Sequence, residues 1–108
     1  AYQKVLLDYA PEKKRAPHSY PVQVARFGDA LTVVALGSET TVDYSLRLKK
    51  ELGHAAPVWV AGYSNDYTGY VPSLRVLKEG GYEAQAGWAE DVEERIVAKA
   101  HELFKSAQ

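Results

Sequence analysis

The chain is 108 residues long, 46% apolar and 25% charged, with a formal net charge of −1. That length holds one modest core and not two, and a near-neutral balance without a basic stripe argues against a nucleic-acid footprint. The absence of cysteine excludes disulfides and thiolate metal sites, no stretch approaches the ~20 apolar residues that span a bilayer, and none has the charged n-region and apolar core of a signal peptide.

The opening segment YQKVLLDYAP is short and apolar in its middle, a strand or a helical turn that Pro11 ends. Residues 11–19 carry Pro11 and Pro17 and predict a loop, in which the run Glu12 to Arg15 is a solvated basic patch. Tyr20 to Phe27 and Ala30 to Leu36 are β-rich runs separated by Gly28-Asp29, the signature of a two-residue hairpin turn. The second run is apolar on both faces, which suits a central strand covered on both sides. Thr41 to Gly53 predicts a helix, with Asp43, Arg47, Lys50 and Glu51 on its polar arc and Val42, Tyr44, Leu46, Leu48 and Leu52 on the remainder. Thr40 or Thr41 can cap its start and Gly53 its end, and Asp43 with Arg47 forms an i,i+4 pair.

Pro57 to Tyr63 is again apolar throughout, so strand, helix and strand make a βαβ unit whose two strands run parallel with a right-handed crossover. Residues 64–89 are irregular, with a helical turn around Ser73 to Glu79. The last run, AEDVEERIVAKAHELFKSA, is an amphipathic helix with Val92, Ile96, Ala100 and Leu103 inward, acids early and Lys105 late. The expected architecture is therefore α/β: a single domain over residues 1–108, in which a β-hairpin leads into a βαβ unit in a mixed sheet, followed by a C-terminal amphipathic helix.

In an open α/β sheet, ligands collect beyond the carboxyl ends of the parallel strands. Two such ends exist here, Gly37 to Glu39 after the first parallel strand and Ser64 to Tyr70 after the second, so Glu39 and the tyrosine-rich loop should share one rim. Glu39 is there a functional carboxylate or only a cap for the helix that follows. Tyr63 and Tyr67 are expected to cover the end of the sheet with rings buried and hydroxyls wet, and Asn65 and Asp66 to bond nearby backbone in turns. Of the histidines, His54 lies at the opposite rim, about 17 Å of strand away. His101 sits beside Glu102 facing solvent. Counting back through a two-residue turn places His18 opposite Glu39, as an ion-pair partner or a second metal ligand. No phosphate-binding glycine loop, HExxH or G-x-S-x-G motif occurs.

The stretches YPVQVARFGDALTVVALGSETTVDYSLRLKKEL and GYSNDYTGYVPSLRVLKEGGYEA resemble the last part of the catalytic domain of the neutral/alkaline (non-lysosomal) ceramidases. The likeness runs from about Val5 to Trp88. Its most specific part is an N-x-Y-x-x-Y pattern, Asn65 to Tyr70, followed by the Tyr82-Glu83 pair. The resemblance implies a zinc-dependent amidase acting on N-acylsphingosine, with Glu39 and Tyr70 as metal ligands and Tyr82 as a catalytic hydrogen-bond donor to the oxyanion. It also suggests a secreted setting. Ser38 stands where the family's turn usually has glycine. The family's two zinc-binding histidines and its nucleophilic serine come from further upstream, and none of His18, His54 and His101 falls on those motifs.

The expectation is then a C-terminal fragment of a larger hydrolase, with which the lack of methionine agrees. Its partners would be an upstream catalytic domain and a lipid amide. Zn2+ would be held in the parent and weakly or not at all by the fragment, which would be inactive alone. Two other expectations compete: a non-catalytic module with the tyrosine loop as an aromatic platform for lipid or sugar, and a scaffold whose open sheet edge pairs with another segment.

Overall fold

The computed structural model describes residues 2–13, 15–54, 56–65, 69–84 and 87–106. Strand β1 (Tyr2–Leu7) is followed by a short 3-10 turn, strand β2 (His18–Phe27) and strand β3 (Leu31–Leu36). Strand β4 (Glu39–Thr40) leads into helix α1 (Val42–Leu52), which returns to strand β5 (Val58–Ala61). Strand β6 (Tyr70–Val71), helix α2 (Leu74–Glu79), a second 3-10 turn and helix α3 (Val92–Ser106) complete the chain. The main sheet has the order β1-β2-β3-β5 and is mixed, with β1, β2 and β3 antiparallel and β3 parallel to β5. This is the α/β architecture the sequence predicts, hairpin into βαβ with a terminal helix. The opening segment resolves as a strand, and the β4–β6 pair forms a second, two-stranded parallel sheet.

Alternation on the strands sets one face inward. Tyr20, Val22 and Val24 of β2, Thr32, Val34 and Leu36 of β3 and Val58 of β5 are buried. Against them lie Tyr44, Leu48 and Leu52 of α1 and Val92, Ile96, Val97, Ala100 and Leu103 of α3. Tyr44, Leu48 and Leu52 recur every four residues, which keeps them on one stripe of α1. Val42 and Leu46 flank that stripe and stay exposed, although the sequence groups them with it.

Four expectations are corrected here. The hairpin loop holds three residues, because Phe27 pairs with Leu31 and Ala30 N–H donates to Phe27 O at 3.0 Å. Gly28 takes the φ of +56° that this reversal needs, which glycine adopts without a Cβ clash. The additional loop residue shifts the register by one, so the frame that set His18 opposite Glu39 does not hold. His18 pairs instead with Leu7 and turns its ring edge toward Trp88. Second, β3 is central but, among the described residues, covered on one face only, since both long helices pack into the one core. Third, Asp43 does not pair with Arg47: Arg75 takes its carboxylate at 2.8 and 3.1 Å, joined by the Ser73 hydroxyl. Fourth, His101 faces α1, its Nε2 2.7 Å from Glu51 Oε1.

Arg47 is the polar hub between α1 and α3. Its guanidinium donates to Glu51 at 2.8 Å and to Glu93 and Glu94 at 2.7 Å. The other Glu93 oxygen accepts Leu74 N–H at 2.8 Å, so one carboxylate on α3 fixes α1 and the start of α2 together. Glu94, then Glu93 and Glu51, raise the Arg47 pKa and hold the group protonated. In return Arg47 lowers the Glu94 carboxyl, while at Glu51 burial opposes, and His101 and Arg47 together outweigh it. Asp43 is lowered by its bonds to Arg75 and Ser73.

These signs fix the acid behaviour. A carboxylate whose pKa is lower folded than unfolded stabilises the fold above its ordinary value and loses that contribution as pH falls through the folded value. The ordinary values are 3.8 for Asp43 and 4.5 for Glu51 and Glu94. The unfolding free energy should therefore be flat from neutral pH down to about 5 and fall below it. Arg47→Leu, which strips three carboxylates of their shared partner, should lower it by about 1–3 kcal/mol at neutral pH and flatten the acid limb. Urea denaturation from pH 7 to pH 3 reads both effects.

Candidate functional site

The rim at the carboxyl ends of β3 and β5 is where the polypeptide leaves the sheet twice. After Leu36 the chain turns through Gly37 and Ser38 into β4, and after Ala61 it turns through Gly62 to Asn65. Tyr63 N–H donates to Ser38 O at 2.8 Å and Ser64 N–H to Leu36 O at 3.0 Å, so the two departures are stitched together. Ser38 (φ +57°), Tyr63 (φ +56°) and Asn65 (φ +66°) are left-handed, the only non-glycine residues to be so among those described. Each such residue costs about 1–2 kcal/mol, least for Asn. Three at one rim is local strain held by the surrounding packing. Ser38, which the resemblance flags as a departure from glycine, adopts the glycine-like conformation, with its side chain fully buried.

Glu39 and Tyr70 are register partners in the parallel β4–β6 pair. Glu39 N–H donates to Gly69 O at 2.9 Å and Thr41 N–H to Val71 O at 3.1 Å. Partners in a parallel ladder lie one strand spacing apart, about 4.8 Å, and project to the same side. The carboxylate and the phenol are thus delivered side by side, both half-buried. Tyr82, on the second 3-10 turn, sets its ring edge-on to Tyr70 with centroids 5.4 Å apart and remains 67% exposed. The three residues singled out in the sequence meet at one place.

Glu39 is not the helix cap. Helix α1 begins at Val42 with Thr41 as N-cap and Asp43 as the acid of its first turn. Thr41 spends its hydroxyl elsewhere, accepting from Ser73 N–H at 3.1 Å. His54 is exposed where α1 leads toward the start of β5, at the other end of the sheet. Tyr63 is corrected: the residue is 62% exposed, so its ring is not buried. Asp66 and Tyr67 lie outside the described residues.

The residues that build the rim were not singled out in the sequence. Tyr20, fully buried on β2, donates its hydroxyl to Gly37 O at 2.7 Å and pins the turn before Glu39. Tyr44, fully buried on α1, donates to Pro72 O at 2.9 Å and pins the chain after Tyr70. Burial pushes the Tyr44 phenol far up, so it serves only as a neutral donor. Trp88 donates its indole N–H to Tyr70 O at 3.0 Å and stacks on Tyr9 at 4.3 Å, with Arg15 over the Tyr9 ring. The available signals were the inward position of Tyr20 on its strand and of Tyr44 on the apolar arc, but their bonding carbonyls are 17 and 28 residues away.

Chemically, the rim offers a carboxylate and a phenol, oxygen donors of the kind zinc accepts, with the Tyr82 ring packed edge-to-face against Tyr70. Among the described residues no group of three His, Cys, Asp or Glu could hold a metal by itself. Neither of two clefts on the described residues is lined by Glu39, Tyr70 or Tyr82; one, of about 480 Å³, is lined by Leu77, Trp88 and Glu90 among others. No helix among the described residues is long and apolar enough to cross a membrane. Comparison with protein-family models, with curated proteins and with solved structures gives no match.

The Tyr20 hydroxyl should matter locally. Tyr20→Phe leaves the Gly37 carbonyl without its buried donor and should cost about 1 kcal/mol of stability. It should also speed hydrogen exchange at the Glu39 amide, which is bonded to Gly69 O across the β4–β6 pair. Unchanged exchange there would show that the turn holds itself.

Proposed function

We propose that this chain is the C-terminal portion of a ceramidase-like, zinc-dependent amidohydrolase that cleaves the amide C–N bond of an N-acyl (sphingo)lipid. The observation that carries this reading is the parallel pairing of Glu39 with Tyr70, with Tyr82 against Tyr70. Those are the three positions to which the sequence resemblance assigns zinc ligation and oxyanion stabilisation, and they converge although 31 and 12 residues separate them in the chain.

The donor set fits a shared metal centre. A carboxylate and a phenol supply half of a four-coordinate zinc shell, and histidines of an upstream domain of the parent polypeptide would supply the rest. The ion, when bound, would polarise the amide carbonyl and promote nucleophilic attack on it. Glu39 and Tyr70, register partners one strand spacing apart, would supply two of its ligands. The Tyr82 O–H would donate to the carbonyl oxygen as negative charge builds on it, an interaction stronger in the transition state than in the bound substrate. Exposure of Tyr82 in this chain is consistent with a substrate or a facing domain covering it. Without the upstream ligands and nucleophile, the isolated chain is expected to be inactive.

Tyr63 and Tyr82, 62% and 67% exposed, favour one other reading, a non-catalytic module that stacks sugar or lipid on an aromatic ledge. Substitution in the full-length parent separates the two. Tyr70→Phe and Glu39→Gln should each lower bound zinc and abolish hydrolysis of an N-acylsphingosine. Tyr82→Phe should keep the zinc and lower kcat by roughly 10²-fold. Zinc content and turnover that survive Tyr70→Phe defeat the ligand role, and a loss of sugar or lipid binding alone favours the module.

A further inference from the structure

Tyr70 lies on a strand of only two residues, held to β4 through the carbonyls on either side of it. Glu39 N–H donates to Gly69 O and Thr41 N–H to Val71 O. Successive carbonyls of an extended strand alternate in direction, so the carbonyl of Tyr70 itself points away from β4. The residue before it is glycine at φ +98°, where no Cβ restricts the backbone. Two paired residues next to a glycine make a weak support for a side chain whose direction matters.

Trp88 supplies the other side. Its indole N–H donates to Tyr70 O at 3.0 Å. The residue is 3% exposed, and its ring is wedged in place. Tyr9 stacks on it at 4.3 Å with planes 13° apart, and the His18 ring meets it edge-on at 6.0 Å. The main chain is fixed as well. Trp88 forms an antiparallel bridge with Tyr9, flanked by Ala10 N–H to Gly87 O at 2.7 Å and Ala89 N–H to Asp8 O at 2.8 Å. Residues 8–10 continue directly from β1. The clamp therefore runs from the main sheet through Tyr9 and the indole to the Tyr70 carbonyl.

We propose that Trp88 is a positioning residue, fixing Tyr70 O and through it the setting of the Tyr70 phenol beside the Glu39 carboxylate. The inference rests on the reading above, in which Tyr70 is a zinc ligand. Trp88 touches neither metal nor substrate in this scheme and acts only through Tyr70. Ligand sets work within about 0.5 Å of their productive geometry. Removing a group that holds a ligand in place typically costs 10–100-fold in metal affinity. A buried carbonyl needs some donor for stability alone. A donor locked by a ring stack and by a backbone bridge also fixes where that carbonyl sits.

Zinc titration of the full-length parent tests the proposal. Trp88→Phe keeps an aromatic ring against Tyr9 and deletes the N–H, and should weaken zinc binding roughly 10–100-fold. Tyr9→Leu keeps the N–H but removes the stack that holds it, and should weaken binding in the same direction. Leu103→Val, in the core on α3 and away from the rim, should lower stability and leave zinc affinity unchanged. In the chain itself, without metal, Trp88→Phe should speed hydrogen exchange at the Glu39 and Thr41 amides. Exchange at Ala25 and Val33, in the middle of the β2–β3 pair, should stay the same. Wild-type zinc affinity in both rim variants overturns the proposal, as does an equal loss in Leu103→Val or unchanged exchange at Glu39 and Thr41. A parent whose Tyr70→Phe variant keeps its zinc defeats the ligand reading and this inference with it. Zinc lost in Tyr70→Phe but kept in Trp88→Phe and Tyr9→Leu defeats this inference alone.

Discussion

The structure depends on one backbone constraint, the parallel pairing of β3 with β5. Parallel strands cannot be joined by a tight turn, so a crossover must lie between them, and α1 fills it. The same constraint sends both strands out of the sheet at one rim. Everything at that rim follows: the stitched departures at Ser38 and Tyr63, and the extension of the parallel direction into β4 and β6. The juxtaposition of Glu39 and Tyr70 is thus a property of chain direction before it is one of side-chain chemistry. A fold with β5 antiparallel to β3 would send the two segments to opposite ends of the sheet.

What holds the rim is a set of buried donors reaching for main-chain carbonyls. Tyr20, Tyr44 and Trp88 bond to Gly37, Pro72 and Tyr70 respectively, each from a different element. A carbonyl in a turn at the end of a sheet has no ladder partner, and burying it unpaired costs about 1–3 kcal/mol. Large amphipathic rings solve this efficiently, since the ring fills core volume while its single polar atom reaches the turn. Tyr20 and Tyr44 are structural and wholly buried, whereas Tyr63 and Tyr82 remain largely exposed.

Element type was legible in the sequence wherever a period ran long enough. The β-rich runs of Tyr20 to Phe27 and Ala30 to Leu36 and the helical period of Thr41 to Gly53 each specified an element type, and the stripe Val92, Ile96, Ala100 and Leu103 specified an inward face as well. The shared rim was legible too, because it requires only strand order and direction. Register was not. One additional loop residue, Ala30, moves every β2–β3 pair by one, and nothing in Gly28-Asp29 distinguishes a two-residue from a three-residue turn. The partners of Asp43 and His101 were hidden for a related reason: local spacing offered Arg47 and Glu102, while tertiary packing brought Arg75 and Glu51. Contacts between elements are set by the whole arrangement, and a helical period carries no record of them.

The apolar character of β3 on both faces contains information that the chain by itself does not use. Val34 and Leu36 face the helices, and Leu31, Val33 and Ala35 face outward with Trp59 beside them. Solvent contact alone would favour polar side chains at those outward positions, as Gln23 on the adjacent strand shows to be compatible with the sheet. An outward face built of leucine, valine, alanine and tryptophan is instead what a second covering layer requires. The rim that brings Glu39 and Tyr70 together and the face left uncovered are consequences of the same mixed sheet. One sets a carboxylate beside a phenol, and the other leaves an apolar surface open among the described residues.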